Sequence, residues 1–133
     1  MSQENVEIVR RAFEAYVRRD NEAAFALYDP EIEIDMTASG QPGGGVYRGL
    51  AGVREWNRDW LGVFEQFTAE VEEWIDPGED VVAMVRWRAR GRSSGVPAEM
   101  LQAHVWTVRD RKLRRLRVYQ SKAEGLKAAG LSE

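Results

Sequence analysis

The hydrophobic period of this chain changes once, and that change limits the folds open to it. In the first half the apolar residues recur at helical spacing. Val6, Val9, Phe13 and Val17 form one stripe, widened by Ile8, Ala12, Ala15 and Tyr16. Asp20 predicts the N-cap of a second, short helix carrying Phe25, Leu27 and Tyr28 and stopping near Asp29-Pro30. A third helix starts near Leu50 and presents Val53, Trp56, Trp60 and Phe64 three to four residues apart. Only one short alternating stretch interrupts the helices. It has Ile32 and Ile34 on one face and Glu31, Glu33 and Asp35 on the other, and the loop Ser39–Gly45 follows.

From Phe67 onward the period is two. Phe67–Ile75 reads as a strand, Asp76–Asp80 as a turn, and Val81–Gly91 as the clearest strand of the chain. In the latter, Val81, Ala83, Val85, Trp87 and Ala89 face one way, and Arg86, Arg88, Arg90 and Arg92 the other. Ser93–Pro97 turns the chain into a strand around Gln102–Val108. Arg109-Asp110-Arg111 turns it again into Leu113–Gln120. Ser121 and Glu124 form a capping box for a last short helix, which Gly130 ends. Helices first and consecutive antiparallel strands after them predict an α+β fold with the helices on one face of the sheet. Such a sheet bends around its helices and leaves a conical cavity. With 133 residues and no linker or repeat, residues 1–133 make a single domain, large enough to bury roughly two-thirds of its unfolded surface.

The composition excludes several classes of function. There is no cysteine and one histidine, so a thiol nucleophile is absent and a zinc site lacks its nitrogen and sulfur ligands; no metal and no cofactor are expected. A net charge of −3 gives no general attraction to nucleic acid. No apolar run approaches the roughly 20 residues that span a bilayer. The N-terminus lacks the regions of a signal peptide, and the expectation is a cytoplasmic protein without membrane contact. Gly43–Gly45 is not followed by the Lys-Ser/Thr of a phosphate loop and reads as a rim loop. The arginine stripe, joined by Arg115 and Arg117, has no interleaved aromatics for base stacking. Pairing with Glu70 and Glu72 on the next strand, or contact with a second copy, accounts for it better.

His104 stands in mid-strand, where Gln102, His104 and Trp106 share one face. A titratable ring between an amide and an indole describes either the polar tip of a cavity or a core histidine with one hydrogen bond. Trp56, Trp87 and Trp106 come from three elements whose apolar faces converge, the pattern of a cavity wall and equally of a filled core. Asp35 differs from the other carboxylates because it ends its strand just before a glycine-rich loop, where it can overhang a pocket mouth.

Four stretches carry a family resemblance: Asn5–Phe13, Leu27–Ile32, Tyr47–Trp56 and Ala103–Asp110. Together with the order of elements they resemble the SnoaL-like and ketosteroid-isomerase-like group of the nuclear-transport-factor-2-like superfamily, over nearly the whole chain. The resemblance implies a cone-shaped curved antiparallel sheet wrapped around N-terminal helices. It says less about reaction, because these domains host isomerases, cyclases, dehydratases, epoxide hydrolases and proteins of no known activity. In ketosteroid isomerases an aspartate after the first strand moves a proton next to a carbonyl, and Asp35 stands at the matching place. A tyrosine on the first helix and a protonated aspartate on a later strand hold the enolate. Here Ala12 occupies the tyrosine position, with Tyr16 one turn further, and His104 occupies the aspartate position. Trp56, Val85, Trp87, Trp106, Leu116, Val118 and Gln120 match pocket-wall positions.

The expectation is a domain that binds a small apolar or aromatic molecule in a conical pocket and forms a homodimer through its sheet. If it is an enzyme, the chemistry is metal-free proton transfer beside a carbonyl, as in isomerases, cyclases and dehydratases. Asp35 then serves as base, His104 as acid or oxyanion donor, and Tyr16 assists. The alternatives are a non-catalytic carrier or sensor using the same pocket, and a protein-interaction module with a closed one. Convergence of Asp35 and His104 on one cavity separates the enzyme from the carrier, and a cavity filled by the tryptophans marks the interaction module.

Overall fold

The N-terminal apolar stripe forms α1 (Ser2–Val17), with Ile8, Val9, Ala12 and Ala15 buried. Residues 2–40, 45–75 and 80–130 are described in this computed structural model. After α1, the Asp20 carboxylate accepts a hydrogen bond from the Ala23 amide at 3.2 Å and caps α2 (Asn21–Phe25). This helix is shorter than its sequence suggests. Tyr28 belongs to the strand β1 (Tyr28–Asp35), because the Leu27 carbonyl accepts from the Leu113 amide and Tyr28 pairs with Leu113. The backbone joins the sheet instead of adding a helical turn.

A three-residue strand, β2 (Val46–Arg48), lies antiparallel to β1 and was too short to leave an alternating signal. It runs into α3 (Gly49–Val63), entered through Gly49 at φ +71°, a left-handed conformation that glycine adopts without strain. Four strands follow: β3 (Phe64–Ile75), β4 (Asp80–Gly91), β5 (Pro97–Arg109) and β6 (Lys112–Tyr119). A helix, α4 (Lys122–Ala128), closes the chain with the Glu124 amide donating to Ser121 Oγ at 3.2 Å. Residues 41–44 of the expected rim loop and 76–79 of the expected turn lie outside the described residues.

The α+β class and the curved sheet are as the sequence suggests. The sheet has six strands in the order β2-β1-β6-β5-β4-β3. From β3 to β6 each strand pairs antiparallel with the next, but β1 and β6 run parallel, so the sheet is mixed. Register shifts in β3 between Glu65 and Thr68, and between Val71 and Glu73, mark bulges, the irregularities that bend a sheet. The helices are not confined to one face. The core between α1, α3 and the sheet includes Val9, Ile32, Ile34, Val53, Val81, Trp106, Leu113 and Leu116. On the other face α4 covers part of the sheet, where Val82, Met84, Ala103 and Val105 are buried. Gly125 makes this approach possible, since a Cβ there would stand 2.6 Å from the Ala103 Cβ.

Candidate functional site

Strand alternation and register assemble one wall of a cavity. Across the inner face Ala69 pairs with Trp87, Val85 with Gln102, His104 with Val118, and Trp106 with Leu116. The opposite wall comes from the helices, with Phe13 and Tyr16 on α1 and Trp56 and Trp60 on α3. Tyr28, Met36 and Phe67 complete the lining. The space amounts to about 630 Å³ with its mouth included, of which about 60 Å³ admits the centre of a water-sized sphere. It is a slot between aromatic walls. The sheet side is packed tight: Trp87, Gln102, Trp106, Leu116 and Val118 are buried, whereas Phe13, Tyr16, Trp56, Trp60 and Phe67 are half-buried. The helix-side rings hold one another. Tyr16 stacks on Trp56 with centroids 5.7 Å apart, and Trp60 meets Phe67 and Trp87 edge-on at 5.2 and 5.0 Å.

No charged side chain lines this cavity among the described residues. On the sheet side Trp87, Gln102 and His104 form a small polar network. Gln102 is almost fully buried and accepts a hydrogen bond from the Trp87 indole at 2.9 Å on its Oε1. Its Nε2 donates to the Ser39 carbonyl at 3.2 Å. His104 Nε2 stands 3.4 Å from the same Gln102 Oε1. Burial without a carboxylate partner pushes the His104 imidazole down to about 4, so the ring is neutral near pH 7. Tyr16 donates its hydroxyl hydrogen to Asn57 Oδ1 at 2.6 Å, and burial raises its phenol above the ordinary value. The Trp106 indole nitrogen is buried with no hydrogen-bond partner among the described residues.

Of the pocket-wall residues named from sequence, Trp56, Val85, Trp87, Trp106, Leu116 and Val118 line the cavity, as do His104 and Tyr16. Asp35 does not. It falls between Ile34 and Met36, both buried on the inner side, and alternation turns it outward. Its Oδ1 accepts from the Thr37 amide at 3.0 Å and from the Thr37 hydroxyl at 2.6 Å, closing a local turn. Slight burial pushes the carboxyl up, but the Thr37 bonds and the charges of Arg115 and Arg117 outweigh it and hold the group below its ordinary value. The expected meeting of Asp35 and His104 in one pocket is therefore absent. Gln120 is also outside. β6 ends at Tyr119, and the exposed Gln120 lays its amide over Gly40, where a Cβ would meet it at 2.7 Å. Sequence reasoning left out Phe13, Tyr28, Met36, Trp60 and Phe67. Trp60 stood on the same helical ridge as Trp56, and that spacing was the available signal.

The arginine stripe lies on the outer face and is paired. Arg86 bonds Glu72 and Glu99, Arg88 reaches Glu70 at 3.5 Å and Glu99 at 3.2 Å, and Arg92 reaches Glu65 at 3.4 Å. Arg90 donates to Gln66 Oε1 and to the Gly95 carbonyl. Among the described residues no group of carboxylates or histidines is arranged to hold a metal ion. No described helix is long and apolar enough to cross a membrane.

Comparison with known proteins gives the same fold. A protein of unknown function from Burkholderia pseudomallei, described as nuclear-transport-factor-2-like, superposes with a TM-score of 0.80 at 23% identity, over 93% of this chain and 95% of that one. TerC, co-crystallised with polyporic acid, superposes with a TM-score of 0.79 at 24% identity, over 93% and 96%. A nuclear-transport-factor-2-like protein from Burkholderia thailandensis gives 0.77 at 27% identity, over 93% of each chain. No curated protein matches the sequence. The model of the SnoaL-like domain matches residues 9–116, most of the chain, and with the curved sheet and its helices this makes the protein a member of the SnoaL-like domain family.

Proposed function

We propose that this chain binds a small, neutral, flat and largely apolar molecule in the slot between sheet and helices, as a carrier or sensor. The observation that carries this reading is a cavity walled by aromatic and aliphatic side chains, with a hydrogen-bonded group of Trp87, Gln102 and His104 on its sheet side and no charge on its lining among the described residues. Such a lining rewards apolar surface and penalises an unpaired ion by several kcal/mol, roughly the cost of moving a charge out of water. TerC, a structural neighbour, was co-crystallised with polyporic acid, which supports the binding of a small organic molecule by this fold.

Proton transfer beside a carbonyl is the weaker reading. It needs a base at the cavity, and the carboxylate that the family resemblance supplies is bonded to Thr37 on the other side of its strand. His104, with its affinity for protons reduced by burial, is a poor base at neutral pH. We also propose that two copies associate through the sheet, and light scattering of the purified protein tests that: a dimer mass is expected. A cytoplasmic location fits the same reading and is open to fractionation.

The test of binding is native mass spectrometry of the freshly purified protein, followed by titration of flat apolar probes against tryptophan fluorescence. A co-purified neutral mass or saturable quenching is expected, and it should vanish in Val118→Phe, which fills the slot. A folded wild-type protein that neither carries a molecule nor responds to any probe overturns the proposal.

A further inference from the structure

The hydrogen bonds on the sheet side of the slot fix the chemistry that its ligand must bring. The Trp87 indole can only donate, and the Ser39 carbonyl can only accept. Between them the Gln102 side chain has one orientation, Oε1 toward Trp87 at 2.9 Å and Nε2 toward Ser39 at 3.2 Å. Its Nε2 also lies 3.2 Å from the Met100 sulfur, which accepts. The atom that faces His104 Nε2 at 3.4 Å is thus an oxygen, and an oxygen calls for a proton on Nε2. Val85, paired with Gln102, and Val118, paired with His104, flank the amide and the ring with apolar groups, so no carboxylate competes for that proton. The other titratable groups on the cavity are Tyr16 and Tyr28, both uncharged near neutral pH. The Tyr16 hydroxyl hydrogen is engaged by Asn57, so that hydroxyl has only acceptor capacity left.

We propose that Trp87 and Gln102 hold His104 as the neutral imidazole with its proton on Nε2, so that Nδ1 is a fixed acceptor selecting ligands that carry a hydroxyl hydrogen. This deepens the proposed binding function and rests on it for the ligand, though not for the state of the ring. His104 then works in the opposite sense to the donor expected from the family resemblance. The ligand class is a flat, uncharged, hydroxylated ring system of the phenol or enol kind. Trp87 and Gln102 act through His104 and are positioning residues.

Because His104 is the sole histidine, long-range ¹H–¹⁵N correlation spectra of the labelled, ligand-free protein read its ring without ambiguity. One pyrrole-type Nε2 and one pyridine-type Nδ1 are expected at pH 7. A proton on Nδ1, or a ring averaging between tautomers, overturns the relay. Trp87→Phe removes the donor that orients the amide, and its spectrum should move toward averaged tautomers; an unchanged spectrum shows that Trp87 does not set the state. For ligand class the probes are 2-naphthol, 2-methoxynaphthalene and naphthalene, each followed by fluorescence quenching. About tenfold tighter binding of 2-naphthol is expected, the size of one net hydrogen bond, with the advantage lost in His104→Phe. Equal affinity for all three overturns the selectivity and leaves the binding site standing. Absence of binding by all three, with the expected spectrum in hand, removes the binding function while the tautomer stands.

Discussion

The two faces of the sheet use one alternating sequence to opposite ends. Along β4 the odd positions, Val81 to Ala89, turn toward the helices, and Trp87 among them joins Gln102 and His104 of β5 in an uncharged hydrogen-bonded group. The even positions carry Arg86, Arg88 and Arg90 among Glu70, Glu72 and Glu99, while Val82 and Met84 go under α4. On the outer face charges meet in water, where each pair contributes little and the network is tolerant. On the inner face one uncharged imidazole and one amide have a single arrangement each, and every neighbour is set by it. Specificity belongs to the side with few polar groups, not to the side with many.

The contrast breaks most visibly at Trp87. Trp87→Ala removes a buried ring and the donor to Gln102, and a loss of about 3–5 kcal/mol in unfolding by urea is expected. A loss near that of an outer-face arginine would mean that the slot is not part of the packed core. His104 gives the next effect. Its folded value of about 4 lies below the ordinary 6.5 of a free histidine, so between these limits the unfolded chain takes up a proton that the folded one refuses. This single group therefore withdraws stability as pH falls from 6.5 toward 4, by up to about 3 kcal/mol. Unfolding of wild type and His104→Asn compared across that range should show the steeper loss in wild type, and parallel curves would contradict the neutral ring.

A smaller effect is expected under α4. Gly125→Ala forces its new Cβ against Ala103 and should cost about 1–2 kcal/mol despite alanine's better helix propensity. Ala103→Gly in the same chain should recover most of it if the contact is the cause. The smallest effect is expected at Arg88→Ala, within about 0.5 kcal/mol, because its ion pairs are exposed. Calorimetric melting temperatures of Trp87→Ala, Gly125→Ala and Arg88→Ala order the two faces directly.

The sequence states much of this inner face. Period two in β4 assigns Trp87 inward and Arg88 outward, and the same rule places Gln102, His104 and Trp106 on one side of β5. It also states that Asp35 belongs with Glu31 and Glu33, opposite Ile32 and Ile34. The family resemblance argues for a catalytic aspartate at that place, and the local alternation, which governs where the side chain goes, prevails. Gln120 fails for a different reason: its parity follows Leu116 and Val118, but parity ends with the strand at Tyr119. The parallel pairing of β1 with β6 and the cover of α4 depend on contacts between distant segments, which leave no periodic trace in either one. The tautomer of His104 depends on the Ser39 carbonyl, a backbone atom whose position no side-chain pattern reveals.

The pairing of Ile34 with Leu116 has a consequence in time. β1 is made well before β6, so a growing chain carries α1, α3 and their aromatic rings before the strand that joins β1 to β5 has left the ribosome. Contacts this distant in sequence are formed slowly, since a long stretch of chain must be closed into a loop first. The slot therefore has no half-built form during synthesis: Leu116 and Val118, which line it, arrive with the same strand that completes the sheet. Loading of any ligand follows synthesis of β6, and a chain stopped before β6 leaves the tryptophans of α3 facing water with a free strand edge beside them.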